Sequence, residues 1–164
     1  MDERSVTVTW HDPAELSGPA FSLAGIDFLR KVVAGELPPA PMASLLGYDL
    51  TEVEEGRAVF TAVPGERHYN PIGVVHAGLA ATLLDSAMGC AVHTMLPAGT
   101  GYTTLETKFN LDRAITSDTG LVRCEATVIT VGSRVGTAEG RVTGEDGRVY
   151  AHGTSTCLVM SPRR

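Results

Sequence analysis

One carboxylate stands inside the most apolar segment of this sequence. The run from Ala77 to Leu96 is almost wholly apolar and has the length of a long helix, and Asp85 lies near its middle. An ionised group inside an apolar element costs free energy of desolvation unless a partner or a functional pocket compensates for it. We therefore expect Asp85 to belong to a functional site and the rest of the chain to position it.

The start of the same helix offers a second chemical group. The helix begins at about Ala77 and Gly78, directly after His76. The first N–H groups of a helix have no partner within it and carry the positive end of the helix dipole, so they stabilise an oxygen on which negative charge develops. By rise alone, Asp85 lies about 12 Å further along the helix, which is too far for both groups to reach one carbonyl within a single chain.

Composition excludes several classes of function. The chain has 164 residues, of which 43% are hydrophobic and 20% charged, as expected for one globular domain with a proper core. A net charge of −6 without a basic run argues against a nucleic-acid partner. The N-terminus begins with charged residues and lacks the apolar core of a signal peptide, which predicts a cytoplasmic protein.

Neither a membrane span nor a metal site is expected. The apolar run has nearly the length of a spanning helix, but Asp85 and His93 interrupt it and the sequence after it is typical of strands. Metal sites require ligands at characteristic spacings. No such spacing links the remaining candidates, which we expect to be free thiols and isolated imidazoles: Cys90, Cys124, Cys157, His68 and His152.

Strand patterns surround the apolar helix. An amphipathic helix is predicted over 22–34, ended by Gly35, and the proline-rich segment 37–41 predicts an extended strap before the first strand. Segments 48–54 and 57–63 form a predicted hairpin. Four further strands, at 102–111, 120–131, 134–143 and 148–160, are separated by glycine-containing turns and predict an antiparallel meander.

These elements together predict an α+β protein with the hotdog fold. A helix that is apolar all round must be covered on every side, and a twisted antiparallel sheet of five or six strands wrapped around it provides that cover. The open edges of such a sheet typically pair with a second copy. We place an N-terminal extension with the short helix and the strap at 1–45, and the hotdog domain at 46–164.

The sequence resembles the hotdog-fold acyl-CoA thioesterases of the phenylacetate-degradation (PaaI) type over most of its length. The pattern Asn-x5-His-x-Gly with an Asp nine residues after the His is the most specific part of the match. The family usually has Gly-Gly after the histidine, whereas this chain has Ala77-Gly78. The other matching segments are 35–41, 46–48, 103–106 and 146–148.

The resemblance implies roles for individual residues. In that family the active site lies between two paired protomers, with the oxyanion turn from one chain and the helix carboxylate from the other. Asp85 would then be the general base that activates water, or a nucleophile that forms an anhydride. Asn70 would orient the water or the thioester carbonyl, and Thr104, or Thr103 in the alternative register, would hydrogen-bond near Asp85. A homodimer at least, and a homotetramer of two dimers, is implied.

Each of these residues also has a structural interpretation, which for Asp85 is that of a solvent-facing residue on an imperfectly buried helix. Asn70 precedes a proline, which is common in turns, and a histidine before a helix often caps it, so His76 acts directly in catalysis or only fixes the loop. The turn Gly132-Ser133-Arg134 suits the mouth of a coenzyme A channel because an arginine pairs with phosphate, but it equally suits a plain hairpin turn.

The expected substrate is an acyl-CoA with an aryl or medium-chain acyl group. Coenzyme A is part of the substrate, and no other cofactor is expected. Two other functions stay open, namely a protein that binds acyl-CoA without hydrolysing it and, with His76 and Asp85 as a proton-transfer pair, an enoyl-CoA hydratase or dehydratase. We expect the acyl pocket to be lined by Leu79, Met88, Val92 and Tyr102.

Overall fold

The computed structural model describes residues 2–160. These residues form four helices, six strands and two single 3-10 turns, which lie at Glu66–His68 and Ser117–Thr119. The helices are α1 (Ala14–Ser22), α2 (Gly25–Val33), α3 (Pro41–Leu46) and α4 (Ala77–Thr94). The strands are β1 (Tyr48–Glu54), β2 (Arg57–Ala62), β3 (Gly101–Leu111), β4 (Val122–Val131), β5 (Val135–Gly144) and β6 (Val149–Met160).

All six strands belong to one antiparallel sheet with the order β1-β2-β4-β5-β6-β3. Helix α4 packs against every strand of this sheet. Leu83, Leu84 and Met88 on the helix are fully buried and meet the inward-facing residues of the strands. The predicted α+β hotdog fold with one long central helix is confirmed.

The predicted meander of the last four strands is wrong in its order. Strand β3 does not pair with β4 but lies at the edge of the sheet beside β6, in the register Gly101↔Met160 to Leu111↔Ala151. Strand β4 pairs with β2 on its other side. Strand patterns are local, whereas the choice of neighbour depends on how the connection between β3 and β4 runs, so the sequence did not reveal it.

The N-terminal region has more helix than predicted. Gly35, at φ +72°, follows α2 closely as expected. The predicted helix over 22–34 corresponds to α2, which begins only at Gly25, and a further helix that was not predicted, α1, precedes it at Ala14–Ser22. The predicted strap ends earlier, because Pro41 is the first residue of α3. Proline is well suited to that position, since its fixed φ is helical and its missing N–H would have had no partner.

The helix pair is tightly joined to the carboxyl end of α4. The Gly25 N–H donates to the Leu96 carbonyl at 3.0 Å, and a Cβ at Gly25 would lie 1.8 Å from the His93 carbonyl oxygen. Only glycine fits this contact. The buried His93 ring lies between the rings of Phe28 and Tyr102, with centroids 5.6 and 5.4 Å away. The N-terminal helices are therefore an integrated part of the packing around α4.

This packing predicts a loss of stability at mildly acidic pH. Burial lowers the pKa of His93, and burial together with the nearby Arg67 lowers the pKa of His68. The unfolded state therefore binds more protons below about pH 6.5, and the free energy of unfolding should fall as the pH drops from 6.5 through the folded-state pKa values. Urea unfolding at pH 7.5, 6.0 and 5.0 measures this fall. His93→Phe, which keeps the ring stacking, should show a smaller one.

Candidate active site

Asp85 lies on an open face of α4. Most of the helix is buried against the sheet, but Ala81, Thr82 and Ser86 are only partly covered and Asp85 is exposed. The expectation that α4 is covered on every side, with a buried charge inside it, is thus wrong for the single chain. Thr107 on β3 donates a hydrogen bond from its Oγ1 to Asp85 Oδ1 at 3.2 Å.

An apolar cavity of about 250 Å³ opens beside this carboxylate. One wall comes from α4 and the strands, with Asp85, Ser86 and Cys90 facing the space, and the other comes from α1, α2 and the strap. Asp85 is the one carboxylate among the described residues that line it. An apolar group filling this cavity would therefore end next to a carboxylate.

The two tyrosines, Ser86 and the cysteine of the cavity wall are neutral and form pairs. The Tyr48 hydroxyl lies 3.1 Å from Ser86 Oγ, and burial raises the pKa of Tyr48. Burial also raises the pKa of Cys90 to about 12, and its thiol hydrogen-bonds with the hydroxyl of Tyr102, whose pKa is raised by burial as well. At neutral pH these groups are protonated, so they offer the cavity no competing nucleophile or base.

A shallow groove continues from Asp85 along the open face of α4. It runs between α3 and β3, and its lining includes Met42, Thr82 and Leu105. Strand β3 is an edge strand, since within the described chain it pairs only with β6. Leu105 and Met42 are 60% and 49% exposed there. The groove thus combines an open sheet edge with apolar side chains.

The predicted oxyanion turn is only partly free. His76 is the N-cap residue of α4, and its ring Nδ1 accepts a hydrogen bond from the Gly78 N–H at 2.8 Å. A Cβ at position 78 would lie 2.9 Å from that nitrogen, which explains the glycine. The Ala77 N–H has no acceptor within residues 2–160. Ala77 has an ordinary negative φ, so the change from the usual glycine introduces no backbone strain.

Asn70 shapes the loop that leads to this turn. Its Oδ1 accepts hydrogen bonds from the N–H groups of Ile72 at 3.1 Å and Val74 at 3.3 Å. Its own backbone N–H donates to the Val74 carbonyl. These contacts correspond to the turn interpretation of an asparagine before proline, and they hold the loop that delivers His76 to the start of α4.

The threonine beside Asp85 is Thr107, which is not among the site residues predicted from the sequence. Thr104 lines the same cavity, whereas Thr103 is exposed. The pairing of β3 with β6 shifts between Thr104 and Glu106, which marks a bulge. This irregularity inserts one residue, so Thr107 faces α4 although simple alternation from Thr104 would turn it outward. Nothing in the sequence distinguishes Thr107 from Thr103 and Thr104 as the neighbour of Asp85.

Two other predicted groups lie elsewhere. Gly132, Ser133 and Arg134 form the exposed β4–β5 turn, in which the Gly132 N–H donates to the Val135 carbonyl at 2.8 Å. They do not line the cavity of their own chain. Of the expected acyl-pocket residues only Tyr102 lines the cavity. The others face the sheet and are at most 4% exposed, so that assignment is wrong: Leu79, Met88 and Val92.

A family model and several solved structures relate this chain to thioesterases. A family model described as the thioesterase superfamily matches residues 72–151. The chain matches none of the curated proteins with which it was compared. A crystal structure of a putative thioesterase from Ralstonia eutropha, described as related to phenylacetic acid degradation, is 26% identical with a TM-score of 0.71, and the match covers 79% of this chain and 98% of that one.

Two further structures extend the comparison. A conserved protein from Pseudomonas aeruginosa is 30% identical with a TM-score of 0.69, over 74% of this chain and 95% of that one. A Streptococcus mutans protein bound to acetyl-CoA is 21% identical with a TM-score of 0.64, over 71% of this chain and 91% of that one, and this likeness concerns the fold.

Proposed function

This chain belongs to the thioesterase superfamily, and from that premise we propose that it hydrolyses acyl-CoA thioesters to the free acid and coenzyme A. The observation that carries the proposal is Asp85 at the mouth of an apolar cavity, where it is the one carboxylate among the lining residues within 2–160. An acyl tail in the cavity brings the thioester carbonyl to the mouth. The acyl-binding cavity and the candidate general base would then lie next to each other, as hydrolysis of a bound thioester requires.

Asp85 serves in this proposal as the general base. It removes a proton from a water molecule that attacks the carbonyl carbon, and the tetrahedral intermediate collapses as the carbon–sulfur bond breaks. The leaving thiolate of coenzyme A takes up the proton. Thr107 holds the carboxylate through its hydrogen bond of 3.2 Å. Direct attack by Asp85 to form an anhydride remains the alternative use of the same residue.

The oxyanion site comes from a second copy of the chain. Within one protomer the Ala77 N–H lies about 12 Å from Asp85 along the helix, so a partner must supply the donor. The groove along α4 and the unpaired edge of β3 support a docking surface for that partner, because an exposed edge strand flanked by apolar residues readily pairs with another chain. We propose a homodimer as the catalytic unit, and a homotetramer of two dimers is expected from the family resemblance.

Coenzyme A recognition is assigned to the β4–β5 turn of one protomer. Arg134 is exposed and carries the positive charge that a nucleotide phosphate requires.

Neither a metal nor a further cofactor is needed for the proposed reaction. Within residues 2–160, none of the helices has the length and apolar character needed to cross a membrane. The cytoplasmic location stays a prediction.

Thiol release from a panel of acyl-CoAs tests this function. We expect release with aryl- and medium-chain substrates, since an apolar cavity of about 150 Å³ already accepts a benzene ring and this cavity has about 250 Å³. Saturable binding without thiol release would instead identify an acyl-CoA-binding protein. Loss of enoyl-CoA absorbance without thiol release would identify a hydratase. The structure does not favour this function, because Nδ1 of the His76 ring accepts a hydrogen bond from the Gly78 N–H.

A further inference from the structure

The N-terminal helices form one wall of the cavity beside Asp85. Their contribution is wholly apolar and comes from segments before the matched family region: Leu16 of α1, Phe28, Leu29 and Val32 of α2, and Pro38 and Pro39 of the strap. The opposite wall belongs to α4 and its neighbouring strands. The size of the cavity is therefore decided jointly by the hotdog core and by residues 16–39.

This wall is held in place by specific contacts. The Gly25 N–H binds the Leu96 carbonyl at 3.0 Å, and the Gly99 N–H binds the Phe21 carbonyl at 2.7 Å. The stacking of Phe28 on His93 adds a third attachment at the same end of α4. Because these contacts fix the wall, the cavity exists before a ligand binds and has a defined depth.

We infer that α2 sets the length of the acyl group, with Val32 as the specificity-determining residue. Val32 lines the cavity, whereas its neighbour Val33 is 39% exposed and does not line it. The substrate class is a thioester of an unbranched acyl chain of about eight carbons, or of an aryl group of similar volume. This inference rests on the proposed function for its reaction, but the pocket can be tested without turnover.

The first test uses acyl-CoAs of increasing chain length. For the wild type we expect kcat/KM to rise about fourfold per added methylene, equivalent to about 0.8 kcal/mol, up to about eight carbons and then to level off or fall. Val32→Trp should move this limit to shorter chains by about two carbons or more, and Val32→Ala should move it to longer chains. Val33→Trp is the matched control and should keep the wild-type profile.

The second test measures the pocket alone. Titration calorimetry with primary alcohols of four to twelve carbons should show the same length limit, moved in the same direction by Val32→Trp and Val32→Ala. Identical limits in the Val32 and Val33 variants would overturn the inference while leaving the hydrolysis intact. If the alcohols show the shifted limit but no acyl-CoA is hydrolysed, the proposed function fails and the pocket assignment stands.

Discussion

Replacing Asp85 with asparagine is expected to lower kcat/KM for the best acyl-CoA by about 10³-fold. The amide keeps the shape of the side chain but cannot accept a proton from water, and general base catalysis contributes typically 10²- to 10⁴-fold. Because Asp85 is exposed and has one weak hydrogen bond to Thr107, its replacement should change the free energy of unfolding by about 0.5 kcal/mol or less. Thiol-release kinetics and urea unfolding of the same preparation measure both effects.

Asp49→Asn is the matched control for this change. Asp49 is an exposed aspartate on β1 that does not line the cavity or the groove. Its replacement should leave kcat/KM and stability at wild-type values. An Asp85→Asn enzyme that turns over as fast as the Asp49→Asn enzyme would refute the role of Asp85.

Replacing Ala77 with proline should lower kcat by about 10²- to 10³-fold without unfolding the protein. The change deletes the N–H that we assign to the oxyanion, and losing one such donor has effects of this size. Proline is tolerated here because Ala77 is the first residue of α4 and His76, at φ −61° and ψ 138°, already has the extended conformation required before proline. Steady-state kinetics and thermal unfolding test the two parts.

Ala77→Ser is the control that keeps the N–H. It should retain activity within a few-fold, since the side chain changes while the backbone donor stays. If Ala77→Pro folds and keeps wild-type kcat, the oxyanion assignment is wrong, and equal losses in both variants would assign the effect to the side chain instead.

A mixture of the two inactive variants should recover activity. If each site takes Asp85 from one protomer and the Ala77 N–H from its partner, a hybrid dimer of Asp85→Asn and Ala77→Pro chains contains one site with both groups intact. Random exchange makes half of the dimers hybrids, so about a quarter of wild-type activity should return. Unfolding and refolding the variants together, with each refolded alone as reference, measures this. No recovery in a mixture shown to contain hybrids would contradict the shared site.

The elements near Asp85 were predictable because their signals are local. The hydrophobic run of α4 and the alternating strands bounded by glycine turns are visible within windows of ten to twenty residues. The placement of Asn70 and His76 on one loop, and of Asp85 on the helix that follows it, was predictable for the same reason. Thr107 was not predictable, because a bulge in β3 exists only once β6 pairs with it.

The sequence by itself determined the helix, the strands and the unusual carboxylate, since each depends on neighbours along the chain. Only the tertiary structure decided that β3 ends at the sheet edge, that one face of α4 stays open and that α1 and α2 close a cavity beside Asp85. The exposure of a helical residue depends on what packs against its face. Here the α1 and α2 residues that line the cavity lie more than fifty positions before Asp85 in the sequence, so no local pattern records the contact.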